Sequence, residues 1–149
     1  MSLTPHPNSA SPRTVCGNDP TTQLTDGDRA EVARYLQHLA ESKNPPKIVC
    51  ICGSMRFADL MQAHARQESL AGRIIVMPHV NTKAWDPAYV EQHKPALDGL
   101  HRAKIRLADE ILVVGNYVGD STRAEIAYAR YLGKPVRFTH REVDPGEEG

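Results

Sequence analysis

The residue with the clearest chemical potential is Glu125, together with the loop before it. The run Gly115-Asn116-Tyr117-Val118-Gly119-Asp120-Ser121-Thr122-Arg123-Ala124-Glu125 reads as the end of a buried strand, a glycine-punctuated loop and a helix start carrying hydroxyls, an arginine and a carboxylate. A carboxylate in that position suits attack on an anomeric carbon, which needs an ionised oxygen beside an oxocarbenium-like centre. The helix dipole and Arg123 are expected to keep Glu125 ionised at neutral pH. The spacing Thr122-x-x-Glu125 equally fits a capping box, in which the glutamate only ties down the helix start. Tyr117 in the loop is a candidate to stack on a base. Gly119, Asp120 and Ser121 are candidate substrate contacts.

A second loop has related chemistry. Gly53-Ser54-Met55-Arg56 follows a buried apolar run and opens a helix. Glycine permits a tight turn, and amides exposed at a helix start attract anions. Ser54 can donate to a phosphate or sugar oxygen and Arg56 can clamp one bidentately. Equally, Ser54 can cap the helix and leave Arg56 solvated. The loop has neither the Gly-x-x-x-x-Gly-Lys-Ser/Thr spacing of a phosphate-binding P-loop nor the Gly-x-Gly-x-x-Gly dinucleotide pattern. On a third segment Asp98, His101 and Lys104 recur at helical spacing as a polar strip. His101 is a candidate acid or base, and Lys104 sits where an apolar residue is expected, so it must pair or let its head escape. Trp85 reads by default as core. Asp109 and Glu110 open a strand, the wrong end for catalysis, and are read as structural.

The elements that must position these groups follow in chain order. Residues 1–24 are rich in Pro, Ser, Thr and Asn and are expected to be a flexible tail. From Thr25, Val32, Tyr35, Leu36 and Leu39 mark a helix that stops before Asn44-Pro45-Pro46. Buried strands are expected at 47–52, 73–78, 109–115 and 135–138. Helices are expected at about 57–70, 97–107 and 121–132, with Ala124, Ala127, Tyr128 and Tyr131 as the last one's core stripe. Residues 79–95 are expected to be loop with some helix over the site, and the acidic stretch 141–149 a flexible tail. Strands alternating with helices imply parallel βαβ units, hence one α/β domain over 25–140 built as a three-layer α/β/α sandwich with a short parallel sheet. In such sheets ligands bind beyond the carboxyl ends of the strands, where the strand order reverses.

Bulk properties narrow the class. With 18 basic and 18 acidic residues the formal charge is zero, which disfavours a nucleic-acid polymer as partner. No apolar run approaches the roughly 20 residues needed to span a bilayer, and the amino terminus lacks a signal-peptide pattern. Three cysteines fit free thiols in a reducing cytoplasm. Cys50 and Cys52 share one strand face, too close and too few for a metal site, and are read as buried structural thiols.

Three stretches resemble the nucleoside 2-deoxyribosyltransferase superfamily over about residues 47–138. They are Ile51-Cys52-Gly53-Ser54-Met55-Arg56, the run from Leu100 to Val114, and Gly119-Asp120-Ser121-Thr122-Arg123-Ala124-Glu125-Ile126-Ala127-Tyr128-Ala129 with its continuation to Val136. The likeness is to small members, with the deoxynucleoside 5'-monophosphate N-hydrolases as characterised cousins. It implies a flavodoxin-like fold, no metal or organic cofactor, and cleavage or transfer at an N-glycosidic bond with Glu125 as nucleophile. It also implies a 5'-phosphate loop of Gly53, Ser54 and Arg56, with Ser121 as an approximate serine counterpart, and a homodimer or larger homo-oligomer. Family enzymes carry an aspartate about two helical turns before the third strand. Here that position falls near His101, and the nearest aspartate is Asp98, a turn earlier. The expected ligand is a small nucleoside or nucleotide. A non-catalytic nucleotide-binding or sensing module of the same fold, or an interaction protein with a vestigial pocket, is the alternative.

Overall fold

The computed structural model describes residues 23–79 and 82–146, so the expected tail lies outside the described residues through residue 22, as do residues 147–149. The chain divides into two units, residues 1–45 and 46–149. In the first, α1 (Asp26–Glu41) starts from a capping box. Thr25 Oγ1 accepts from the Asp28 amide at 3.1 Å, and Asp28 Oδ2 accepts from the Thr25 amide at 2.8 Å. These bonds to Thr25 hold the Asp28 carboxyl below its usual pKa. None of the residues of α1 is buried.

The second unit is built on β1 (Ile48–Cys52), β2 (Ile74–Val76), β3 (Glu110–Val113) and β4 (Val136–Phe138), all parallel, in the order β2-β1-β3-β4. Between them run α2 (Ala58–Leu70), α3 (Pro87–Leu107) and α4 (Asp120–Tyr131). The class is α/β, consistent with a flavodoxin-like α/β/α sandwich. Among the described residues no helix is long and apolar enough to cross a membrane.

Alternation along the central strands sorts the core into two layers. Cys50, Cys52, Ile111 and Val113 pack on Ile105 of α3, on Ala108 just past its end, and on Ile126 and Ala129 of α4. Val49, Ile51, Leu112 and Val114 pack on Met61 of α2, with Phe57 and Leu60 beside it. Each fully buried Ile or Val contributes about 1.5–3 kcal/mol, which explains why continuous β-branched runs settle in the middle of the sheet. Arg137, paired in register with Leu112, is held between carboxylates. Its guanidinium meets Glu68 of α2 through two bonds of 3.0 and 2.9 Å, and its Nε meets Glu110 at 2.9 Å. Arg73 adds a 3.0 Å bond to Glu68. Asp109 Oδ2 accepts from the Ile48 amide at 2.8 Å. Both strand-opening acids are thus structural.

Several elements differ from expectation. The segment 79–95, expected as loop with some helix, is helical throughout from Pro87 onward, because Asp86 caps the start by accepting from the Ala88 amide at 2.8 Å and Pro87 occupies the first turn. Pro95 is carried inside α3. On α3, Leu100 is 56% and Leu107 63% exposed, while His101 and Ile105 are buried. On α4 the inner face is Thr122, Ile126 and Ala129, and Tyr131 is 86% exposed. An alanine-rich helix has little apolar contrast between its faces, so its contact with the sheet sets the phase. Trp85, expected in the core, is 37% exposed and meets Tyr89 edge-on at 5.2 Å. Residues 141–146 lie along α4, where Arg130 bonds both Asp144 carboxyl oxygens at 3.0 Å and the Gly146 carbonyl at 2.9 Å.

Candidate functional site

The chain leaves β1 toward α2 on one sheet face and leaves β3 toward α4 on the other, so a crevice opens where these neighbouring strands end. Two glycines make that junction possible. Gly53 has φ +144°, and a Cβ there would lie 2.6 Å from the Val114 carbonyl oxygen. Gly115 has φ +102°, and a Cβ there would lie 2.3 Å from the Phe57 ring. No other residue type fits such backbones at that approach.

The crevice is a cavity of about 680 Å³, within the range of small-molecule sites. Gly53, Ser54 and Arg56 line it from the first loop. Asp98, His101 and Lys104 line it from α3. Tyr117, Gly119, Asp120, Ser121 and Glu125 line it from the second loop and α4. Residues far apart in sequence therefore share one wall, and α3 presents Asp98, His101 and Lys104 to it together.

At the base of the cavity, Glu125 is not a cap. The N-cap of α4 is Gly119, which makes no side-chain bond, and Glu125 falls in the second turn, so the Thr122–Glu125 capping box does not form. The Glu125 side chain is 15% exposed, and its Oε2 lies 3.6 Å from His101 Nε2. Cys52 Sγ is 3.4 Å from the same ring nitrogen. Among the described residues neither Glu125 Oε2 nor His101 Nδ1 has a hydrogen-bond partner.

Burial dominates the protonation of this pair. It pushes the Glu125 carboxyl up to about 7, opposed by the neighbouring Cys52 thiol, helped by the Asp98 charge and opposed further by Arg102 and Lys94. It pushes the His101 imidazole down to about 4, helped by the Lys104 charge and opposed by Asp98. At neutral pH His101 is therefore neutral and Glu125 is close to half ionised. Arg123 and the helix dipole were expected to keep Glu125 ionised, but loss of hydration outweighs them. The Cys50 thiol and complete burial push the Cys52 thiol well above its usual range.

The rest of the wall is donor-rich. Lys94 Nζ bonds Asp98 Oδ2 at 2.6 Å and Ser121 Oγ at 3.2 Å, tying α3 to the start of α4. Ser54 Oγ accepts from the Arg56 amide at 3.4 Å, so the serine that lines the cavity also caps its turn. The Arg56 guanidinium lies 4.1 Å from the centre of the Tyr117 ring, a cation–π contact joining the two loops. Lys104 Nζ donates to the Met77 carbonyl at 2.8 Å and meets His79 Nδ1 at 3.3 Å. Sequence reasoning missed Lys94, His79 and the role of Cys52. The Lys94–Asp98 spacing is an ordinary helical ion pair, hidden because residues 79–95 were read as loop with only some helix. Nothing local marks the other two.

As for metals, Cys50, Cys52 and His101 bring their donor atoms within 4.8 Å of one another. Three donors fall one short of a closed tetrahedral zinc site, and both thiols belong to the apolar cluster with Ile105 and Ile111. No protein-family model matches the chain, and no curated protein is similar to it.

Proposed function

We propose that the protein cleaves or transfers at the N-glycosidic bond of a nucleoside or nucleoside 5'-monophosphate, with Glu125 as nucleophile. The observation that carries this reading is a buried carboxyl beside a neutral imidazole, at the base of a cavity whose wall offers Ser54, Arg56, Lys94 and Ser121 as anion or hydroxyl contacts. In the first step a Glu125 oxygen bonds to C1', the C1'–N electron pair leaves with the base, and the base takes up a proton from solvent water, which regains it when His101 is later deprotonated. In the second, water attacks C1', its proton passes to the neutral His101, and the electron pair of the ester returns to Glu125. A second base in place of water makes the same sequence a transfer. Asp98, paired with Lys94, orients that cation between the sugar's 5' end and the carboxyl.

Release of free base from a panel of deoxy- and ribonucleosides and their 5'-monophosphates, followed by chromatography, tests the proposal. Turnover that vanishes in Glu125→Gln, with the circular dichroism spectrum kept, supports it. Turnover retained in that variant ends the nucleophile assignment. One observation favours a second reading, a nucleotide-binding module without turnover: with its pKa near 7, a large share of Glu125 is neutral, and a neutral carboxyl does not attack carbon. Thermal stabilisation by nucleotides with no base released from any substrate selects that reading.

A further inference from the structure

Lys104 stands out among the charged groups of the cavity. Lys94 has Asp98 at 2.6 Å, whereas no carboxylate among the described residues pairs with Lys104, although its ammonium is half-buried in the cavity wall. A desolvated cation without a counter-charge is unfavourable unless something else meets it. Its head is held in place from the segment that follows β2, by the Met77 carbonyl at 2.8 Å and His79 Nδ1 at 3.3 Å. An ammonium has three N–H groups and no acceptor, so one donor remains by count. A neutral imidazole that accepts at Nδ1 carries its proton on Nε2, so His79 also presents a donor. Lys104 is one helical turn beyond His101, on the face that touches Glu125. This pole of the cavity therefore offers two side-chain donors, from Lys104 and His79, next to the carboxyl.

We propose that Lys104 and His79 form a recognition site for an oxo-substituted nucleobase, a 6-oxopurine in particular, and that Lys104 stabilises the negative charge the base acquires as it leaves. The inference rests on the N-glycosidic reading above and adds the class of base. A 6-oxopurine presents two neighbouring acceptors, O6 and N7, on one edge, whereas adenine presents N7 beside an amino donor. Two protein donors match the first edge and oppose the second. When the N-glycosidic electron pair moves into the ring, charge accumulates on O6 and N7, so the contact strengthens toward the transition state.

Two measurements on the full chain separate this inference from the reading it rests on. Calorimetric titration with hypoxanthine and with adenine reports base binding without turnover. Hypoxanthine is expected to bind at least about tenfold more tightly than adenine, with the difference lost in Lys104→Met and kept in Lys104→Arg. Where nucleosides are cleaved, the ratio of kcat/KM for 2'-deoxyinosine over 2'-deoxyadenosine is expected to fall about tenfold or more in Lys104→Met. Should Lys104→Met fail to fold, His79→Leu, at an exposed position, serves as the second variant and is expected to narrow the same preference. Equal binding of the two bases by the wild type, or a preference that survives in both variants, overturns the assignment whatever the enzyme assay shows. Lysine-dependent hypoxanthine binding without any cleavage leaves the Lys104 site standing and removes the catalytic reading.

Discussion

Replacing Glu125 by Gln has a consequence for stability that needs no knowledge of substrate. The unfolded chain releases this proton near 4.5, whereas burial keeps it on the folded protein up to about 7. Between those values the folded state binds more protons than the unfolded state, so the wild type loses stability as pH rises, and the loss is complete above about 7. At 1.36 kcal/mol per pH unit this amounts to about 3 kcal/mol. His101 acts in the opposite sense. Its folded pKa of about 4 against 6.5 unfolded adds stability as pH rises through that interval, so the wild-type profile alone is nearly flat. The comparison of variant with wild type cancels most of the histidine's contribution, because the burial and the Lys104 charge that lower its pKa are present in both proteins; only the part carried by the 3.6 Å contact with Glu125 differs. Urea unfolding of both proteins from pH 4 to 8 is the assay. Any fixed effect of the new amide is the same at every pH. The difference should therefore grow in favour of Glu125→Gln by about 3 kcal/mol from pH 4 to 8, about 10 °C in Tm. A difference that stays constant across that range refutes the burial argument for Glu125.

Three further outcomes are expected. Cys52→Ala removes the neighbouring thiol that opposes the rise of the Glu125 pKa, so the midpoint at which kcat/KM rises with pH should move above about 7; an unmoved midpoint separates Cys52 from the carboxyl. Arg137→Met strands the buried Glu68 and Glu110 carboxyls and should cost about 2–4 kcal/mol in urea unfolding at pH 7. The bond to Arg137 holds Glu68 below its ordinary value of 4.5, so this contribution is present above 4.5 and fades as pH falls below it. The gap between variant and wild type should narrow in acid. Gly115→Ala places a methyl 2.3 Å from the Phe57 ring on a backbone at φ +102°, which should lower stability by about 3 kcal/mol; a melt within 2 °C of wild type contradicts that packing.

Much of this molecule was determined by properties that neighbouring residues share. The β-branched runs at 48–52 and 110–113, each followed by a glycine, specify central parallel strands because such residues tolerate burial on both faces and glycine alone tolerates the turn. Ser54 and Arg56 were recognisable because they sit in the turn that follows β1, and Ser121 and Glu125 because they open the helix that follows β3. The phase of α3 was partly recognisable: Asp98, His101 and Lys104 stood out as one polar strip and do line the cavity, whereas the packing of Ile105 and Ala108 on β1 and β3, with Leu107 exposed, was not legible. That packing brings His101 beside Glu125, and it follows from where the helix crosses the sheet. The protonation of the site lies further still from the linear chain. Cys52, His101 and Glu125 meet across 73 positions of sequence, and the pKa of each depends on how much water the others exclude, a quantity that exists only once all three elements have packed.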